Sequence, residues 1–584
     1  MNKTEKLICI LLGAVLAWYI WSEMGRTKER QRYLAEQAAI AATNAPAAPV
    51  ASVAVNSTNA PAAAAVAPAT AVKAAAALPS VPEEFVVLEN DELKLELSTW
   101  GAVVKKATLK KYAKDRGKVS EDNPPVSFDF SESPLGAGES VEVFEVVRQE
   151  PKDPKSVKFR KGDAERTITL GENYCISFQD KGYAPATLSV GSMRMGDSKN
   201  DLLSVDSWAM DAGKGKEGVV HHCEGESPLK GYLVGGLSGG CGGSKSAAGM
   251  PVDSDVPYPG AQKWIALKNR FFVTALVSCD EANQGFVATV KRDVKAANYR
   301  PESVSAVVKF GAGAEGSRTT TFYVGPKKQA LLWDRGMKDV MEFGMWRWLC
   351  YPLVWILNFF NSIIPNYGVA IILLTILVRL LFWPLTHKST VGMRKMQEIQ
   401  PLMKEIQAKY KDNPQRLQQE TWALYKEHKV NPMSSCLPML IQIPVFLALF
   451  NVLRSAVELR YAPFLWIGDL SEPEALFASW FPFGGLNILP ILMAVSTALQ
   501  SAFTPSTGDK NQQRMMMIFM PLMMLFMFYS FPSALSLYWF LSNLFSIVQM
   551  WIIRRQTAVK SGGAAMPEVI DPPTTRQMRR HGRA

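Results

Sequence analysis

Arg379 is the one charged side chain well inside a long apolar run, 367–385. At ~1.5 Å per helical residue it stands ~4–5 Å from the midpoint of that run. Placed centrally, such a cation costs about 2.5–3.5 kcal/mol on insertion scales, which makes it the first candidate for function. Thr375, four residues earlier, shares its helical face and extends a polar stripe. Snorkelling of the long side chain to nearby headgroups is the competing reading. Other apolar runs carry Gln442, Ser496, Thr497, Gln500, Ser542, Asn543, Ser546 and Gln549. Trp539, Asn543 and Ser546 fall on one helical face. Scattered polar groups of this kind often only hold helices together. None of these runs holds a carboxylate, which argues against a proton relay and against an ion-pair-gated transporter. The set suits a shallow wetted cavity with one positive charge.

The rest of the chain offers little chemistry. Residues 239–246 (GGCGGSKS) approach a phosphate-binding loop, but Ser244 stands where the second Gly belongs and no apolar strand leads directly in. They read as a surface loop. His221, His222 and Cys223 could start a metal site, yet no other His lies in that region. Cys223 and Cys241 could pair if the region is exported. With no nucleophile set and no paired carboxylates, an enzyme is not expected, nor is a cofactor.

These residues must be positioned by a chain of 584 residues with net charge +11 and a sharp internal asymmetry. A wholly soluble protein is excluded by the apolar runs after about Met345, and a disordered one by apolar content in both halves. Residues 1–33 read as an uncleaved signal anchor around the apolar stretch 7–21, and 34–83 as an Ala/Pro-rich linker. Residues 84–326 alternate in period two, as at Leu93, Leu95 and Leu97, with Gly, Asp, Asn and Pro between runs. That predicts an antiparallel β-sandwich. Residues 327–366 hold a Trp- and Phe-rich amphipathic segment, expected to lie in the membrane interface. Five spans follow within 367–553, at 367–385, 437–453, 486–503, 515–531 and 535–553. The fourth of these carries seven Met, which suits an adaptable apolar surface. With the anchor, six spans are expected.

Between the first two core spans, 388–432 predicts a helical hairpin. Met396, Ile399, Met403, Ile406 and Tyr410 repeat at three and four residues, as do Leu417, Thr421, Leu424 and His428 after the Asp412-Asn413-Pro414 turn. Lys and Arg number nine in 387–432, two in 504–514 and seven after 553, against one in 457–485. The rich side is cytoplasmic. Both termini and the hairpin are therefore expected inside, and the β-domain outside.

The stretches GVAIILLTILVRLLFWPLTHKS (368–389), LQQETWALYKEHKVNPMSSCLPMLIQIP (417–444), ELRYAPFLWIGDLS (458–471), 488–513 and FPSALSLYW (531–539) are the most specific in the chain. Through them it resembles the YidC/Oxa/Alb family of membrane-protein insertases, in the Gram-negative form with a large periplasmic domain. Weaker matches lie at 89–91, 264–277 and 323–326. The resemblance implies a multi-pass α-helical inner-membrane protein. Its five-helix insertase core would carry a periplasmic β-supersandwich and a cytoplasmic helical hairpin. It implies a hydrophilic groove open to cytoplasm and lipid, with Arg379 receiving polar or acidic segments. Thr375 and Tyr538 match positions that meet substrate, and Gln442, Gln500, Trp539 and Asn543 would line the cavity. Implied partners are nascent membrane proteins, the Sec translocon and membrane lipids. The hairpin and the basic tail 554–584 suit the ribosome. Ser434 and Ser435, Ala534 and 508–514 depart from the family pattern in loops only.

Overall fold

The computed structural model describes residues 81–560 apart from 114–124, 140, 148–153, 195–202, 212–215, 222–254, 280–282, 293–300, 312–316, 342, 429, 431–436, 478–484 and 505–509. The expected anchor, most of the linker, His222, Cys223, Cys241 and the tail beyond 560 lie outside the described residues.

The alternating segment folds into strands as its periodicity requires. A first sheet runs β1 (Phe85–Glu89), β2 (Leu93–Ser98), β3 (Val103–Ala113) and β4 (Pro125–Asp129) in that order. Leu93, Leu95 and Leu97 on β2 are fully buried while Lys94 and Glu96 face outward, the period-two logic of a half-buried strand. Next in the chain come β5 (Glu145–Val147), β6 (Ser156–Lys161), β7 (Ala164–Leu170), β8 (Cys175–Lys181), β9 (Thr187–Arg194), β10 (Ser204–Asp211) and β11 (Lys216–His221). The last strands are β12 (Asp255–Pro259), β13 (Ile265–Lys268), β14 (Phe272–Cys279), β15 (Asn283–Arg292), β16 (Pro301–Phe310) and β17 (Ser317–Pro326). They form a nine-stranded sheet, β11-β10-β13-β14-β17-β8-β7-β6-β5, and a four-stranded sheet, β12-β15-β16-β9. All strand pairings among the described residues are antiparallel, and β9 lies against β13 and β14, so the sheets close on one shared core. Gly285, at φ +127°, marks a bulge in β15 where a Cβ would strike the Tyr258 carbonyl.

Buried inside this domain, Arg166 forms a two-pronged pair with Asp180 at 2.6 and 2.9 Å and donates to the Gly136 carbonyl at 2.8 Å. Lys268 pairs with Asp206, also buried, and its ammonium donates to the Val340 carbonyl at 3.2 Å. That bond ties the sheet to the segment leading into the helices.

Nine α-helices follow among the described residues: α1 (Gln329–Asp334), α2 (Arg347–Ile363), α3 (Tyr367–Glu398), α4 (Gln400–Lys409), α5 (Pro414–Glu427), α6 (Leu437–Ser455), α7 (Ile488–Phe503), α8 (Lys510–Phe528) and α9 (Ser533–Lys560). The amphipathic segment is α2. Cys350, Leu353, Val354 and Leu357 are buried on one face, while Trp348, Trp355 and Phe359 are exposed on the other. Two stretches, Tyr367–Glu398 and Ser533–Ile553, are long and apolar enough to cross a membrane. Gln442–Ser455, Ile488–Phe503 and Met517–Phe528 are shorter apolar helices.

The helix that holds the first expected core span, 367–385, runs on as α3 to Glu398, into the stretch 388–432 expected as the hairpin. Pro384 withholds an N–H from the Leu380 carbonyl. Beyond it the Thr386 hydroxyl donates to the Phe382 and Trp383 carbonyls at 3.0 and 3.1 Å, supporting backbone the proline disturbs. The helical pair itself is α4 and α5, with Asn413 capping α5 through the Arg416 N–H at 3.1 Å. Met396, Ile399 and Leu424 share a small core there, flanked by Met403, Ile406 and Tyr425.

Candidate functional site

α3 is started by Asn366, whose side chain accepts the Val369 N–H at 3.2 Å. Gly368 allows that first turn to press on the ring of Phe464, where a Cβ would collide. Twelve residues into the helix, Arg379 is half-buried. Among the described residues its guanidinium has no hydrogen bond and no ion pair. Its electrostatic neighbour is Tyr538 on α9. Tyr538 is buried, and its hydroxyl accepts from the Gln442 amide on α6 at 3.3 Å. Three helices far apart in sequence thus converge one cation, one phenol and one carboxamide. All are strong hydrogen-bonding groups, and among the described residues no acid pairs with the cation.

The remaining sequence candidates go elsewhere. Thr375 is fully buried, and its hydroxyl donates to the Ile371 carbonyl of its own helix at 2.7 Å. Asn543 donates through its amide to Ser496 at 2.9 Å and Thr497 at 2.8 Å, a buried clamp between α9 and α7. Trp539, one residue past Tyr538, is turned about 100° around the helix. It stacks edge-on against Phe446 at 4.8 Å and lies 5.4 Å from Phe528. It therefore belongs to an aromatic cluster of α6, α8 and α9, and not to the Tyr538 group. Gln500 is half-buried near the end of α7, and its backbone carbonyl accepts from Thr504.

Sequence reading passed over Thr386. Gln549 donates to its hydroxyl at 2.7 Å, bridging α9 to α3. The available signal was a hydroxyl one residue beyond a proline-containing apolar run. Along α8, Ile518, Phe519, Leu522 and Phe526 form an apolar stripe that is exposed among the described residues.

Two sequence families match. Residues 359–560 fit the family described as 60Kd inner membrane protein, and 250–356 fit the YidC periplasmic domain. The membrane protein insertase YidC of Chlorobaculum parvum is 31% identical over 524 residues, covering 83% of this chain and 85% of that protein. The chain belongs to the YidC family of membrane protein insertases. The insertase YidC of Syntrophobacter fumaroxidans is 41% identical over 311 residues, 52% of this chain and 55% of that protein. With several such relatives, the chain spans about half the length of the curated protein it matches. An active YidC insertase crystal structure with its first transmembrane domain resolved covers 80% of this chain and 92% of that one, at 19% identity and a TM-score of 0.34. The YidC periplasmic match holds β12 to β17, α1 and the first part of α2, and the other match holds the end of α2 and the long helices.

Proposed function

We propose that this chain inserts membrane proteins without a motor, receiving polar segments at the Arg379–Tyr538–Gln442 cluster and releasing apolar segments along α7 and α9, the third and fifth core spans. The observation that carries this reading is an intramembrane guanidinium with no anionic partner among the described residues. Family membership supports it. Carrying a polar segment across hydrocarbon is costly because its backbone and charges lose water. A wetted notch in one leaflet shortens that path. Low-dielectric walls strengthen the pull of Arg379 on acidic or polar groups.

In this reading the chain is an inner-membrane protein of six spans, with α2 in the outer interface and the β-domain periplasmic. Both termini and the α4–α5 pair are cytoplasmic. Its substrates are nascent membrane proteins. The Sec translocon is a partner for larger ones, the ribosome approaches the α4–α5 pair and the basic tail, and lipid accepts the product. Thr375, Gln500, Trp539 and Asn543 support or border the groove.

The test is reconstitution in liposomes without ATP, with paired substrates bearing acidic or neutral translocated tails. Arg379→Lys retains most activity, Arg379→Ala loses about tenfold on the acidic tail, and Arg379→Glu loses more. Neutral tails suffer less. Equal rates for Arg379→Ala and the unchanged chain on the acidic tail would overturn the groove charge and leave Arg379 as a headgroup anchor.

A further inference from the structure

The turn between β13 and β14 reaches the helical core chiefly through Arg270. Arg270 is buried there and donates to the Arg454 carbonyl at the end of α6 at 2.7 Å and to the Ser471 carbonyl at 2.9 Å. A third nitrogen bonds the Glu472 carboxylate at 3.1 Å. Glu472 is shared with Arg460, 2.9 Å away, and Arg460 also reaches Asp469 at 3.2 Å. Both guanidiniums face the ring of Phe271, at 4.6 and 5.2 Å from its centroid. Two buried guanidiniums, two half-buried carboxylates and one aromatic face make a cluster of mutually paired, hydrogen-bonded charges, the condition under which such charges hold geometry.

The clustered loop does a second job. The Glu472 carbonyl accepts both the backbone N–H and the hydroxyl of Ser533, at 2.9 and 2.7 Å, and the Leu470 carbonyl accepts the Ala534 N–H at 3.0 Å. These donors are the open first-turn groups of α9, which lack partners within their own helix. Tyr538 follows Ser533 by five residues, ~7.5 Å along the same helix. The loop also keeps Tyr461, Leu465, Ala475 and Phe477 at positive φ, conformations that side chains adopt only when the surroundings impose them.

We infer that Arg270 is a positioning residue for the insertase site: the β-domain turn fixes the loop that caps α9, and so sets where Tyr538 stands relative to Gln442 and Arg379. The exported domain thereby becomes part of the machinery that holds the groove in shape. This inference rests on the insertase reading.

The test uses the full chain in liposomes and reads two quantities, hydrogen exchange at the Ser533 and Ala534 amides and the rate of substrate insertion. Arg270→Gln speeds exchange at those two amides about tenfold or more while the β16 amides keep their protection. It slows insertion about threefold or more. Arg270→Lys keeps the charge against Glu472 but not the reach to both carbonyls, and falls between. If Arg270→Gln does not fold, Glu472→Gln breaks the same pair from the core side with the same expectation. Unchanged exchange at both amides in a folded variant overturns the inference, as does unchanged insertion with faster exchange. An unmodified chain that inserts nothing would instead overturn the insertase reading, and the exchange data would still judge the link.

Discussion

Gln442 on α6 reaches the hydroxyl of Tyr538 on α9 across 96 positions of sequence, at 3.3 Å. Removing the hydroxyl leaves a carboxamide short of a partner in an apolar setting. Tyr538→Phe should therefore cost about 0.5–1.5 kcal/mol of stability. Adding Gln442→Leu, which removes the stranded amide, should recover part of it. Unfolding in mixed micelles reads both, and a double variant less stable than Tyr538→Phe alone would contradict the pairing.

Asn543 predicts a different pattern. Its two bonds to Ser496 and Thr497 hold α9 to α7, and interhelical bonds of this kind contribute about 0.6 kcal/mol on average and up to about 1.7. Asn543→Ala should lower stability by an amount in that range or slightly above. The ratio of insertion rates for acidic and neutral tails should stay that of the unchanged chain, because the clamp does not bear the charge. A changed ratio would put Asn543 in contact with substrate.

The β-domain carries an acid-sensitive tie. Glu132 bonds Lys291 on β15 and Arg194 on β9, each at 2.8 Å. The Lys291 bond, opposed in part by burial and aided by the charge of Arg194, holds the Glu132 carboxyl below its ordinary 4.5. A depressed carboxyl stabilises the fold fully above the unfolded value, near 4.5, and that contribution is lost as pH falls through the folded value. Both partners are well exposed, so the tie is worth at most about 1 kcal/mol. Lys291→Ala should raise the Glu132 pKa in an NMR titration and move acid unfolding of the domain to slightly higher pH. An unmoved titration would show that Lys291 does not hold the carboxylate.

Much of this architecture was legible in the residues. Period-two runs such as 93–98 gave strands, and the aromatic face of 345–364 gave the two-faced helix α2. The repeat at 417–428 falls on α5, while the repeat at 396–410 starts on α3 at Met396 and continues along α4. What the sequence concealed were relations across helices. Helical spacing put Trp539, Asn543 and Ser546 on one face, yet it cannot say which neighbour each meets. Trp539 meets rings, and Asn543 meets hydroxyls of α7. Arg270 carried no signal at all, because an arginine in a β-turn reads as solvated until a loop two hundred residues later closes over it.

α3 is a single helix of 32 residues, ~48 Å long, while the hydrocarbon layer is only ~30 Å. Its surplus ends at Ile399, which joins it to α4, so one helix and one residue link Arg379 to the α4–α5 pair. Within that helix Pro384 removes one backbone hydrogen bond between Arg379 and the pair. A push on the pair that travels along α3 must cross the turn where Pro384 lacks its hydrogen bond before it reaches Arg379.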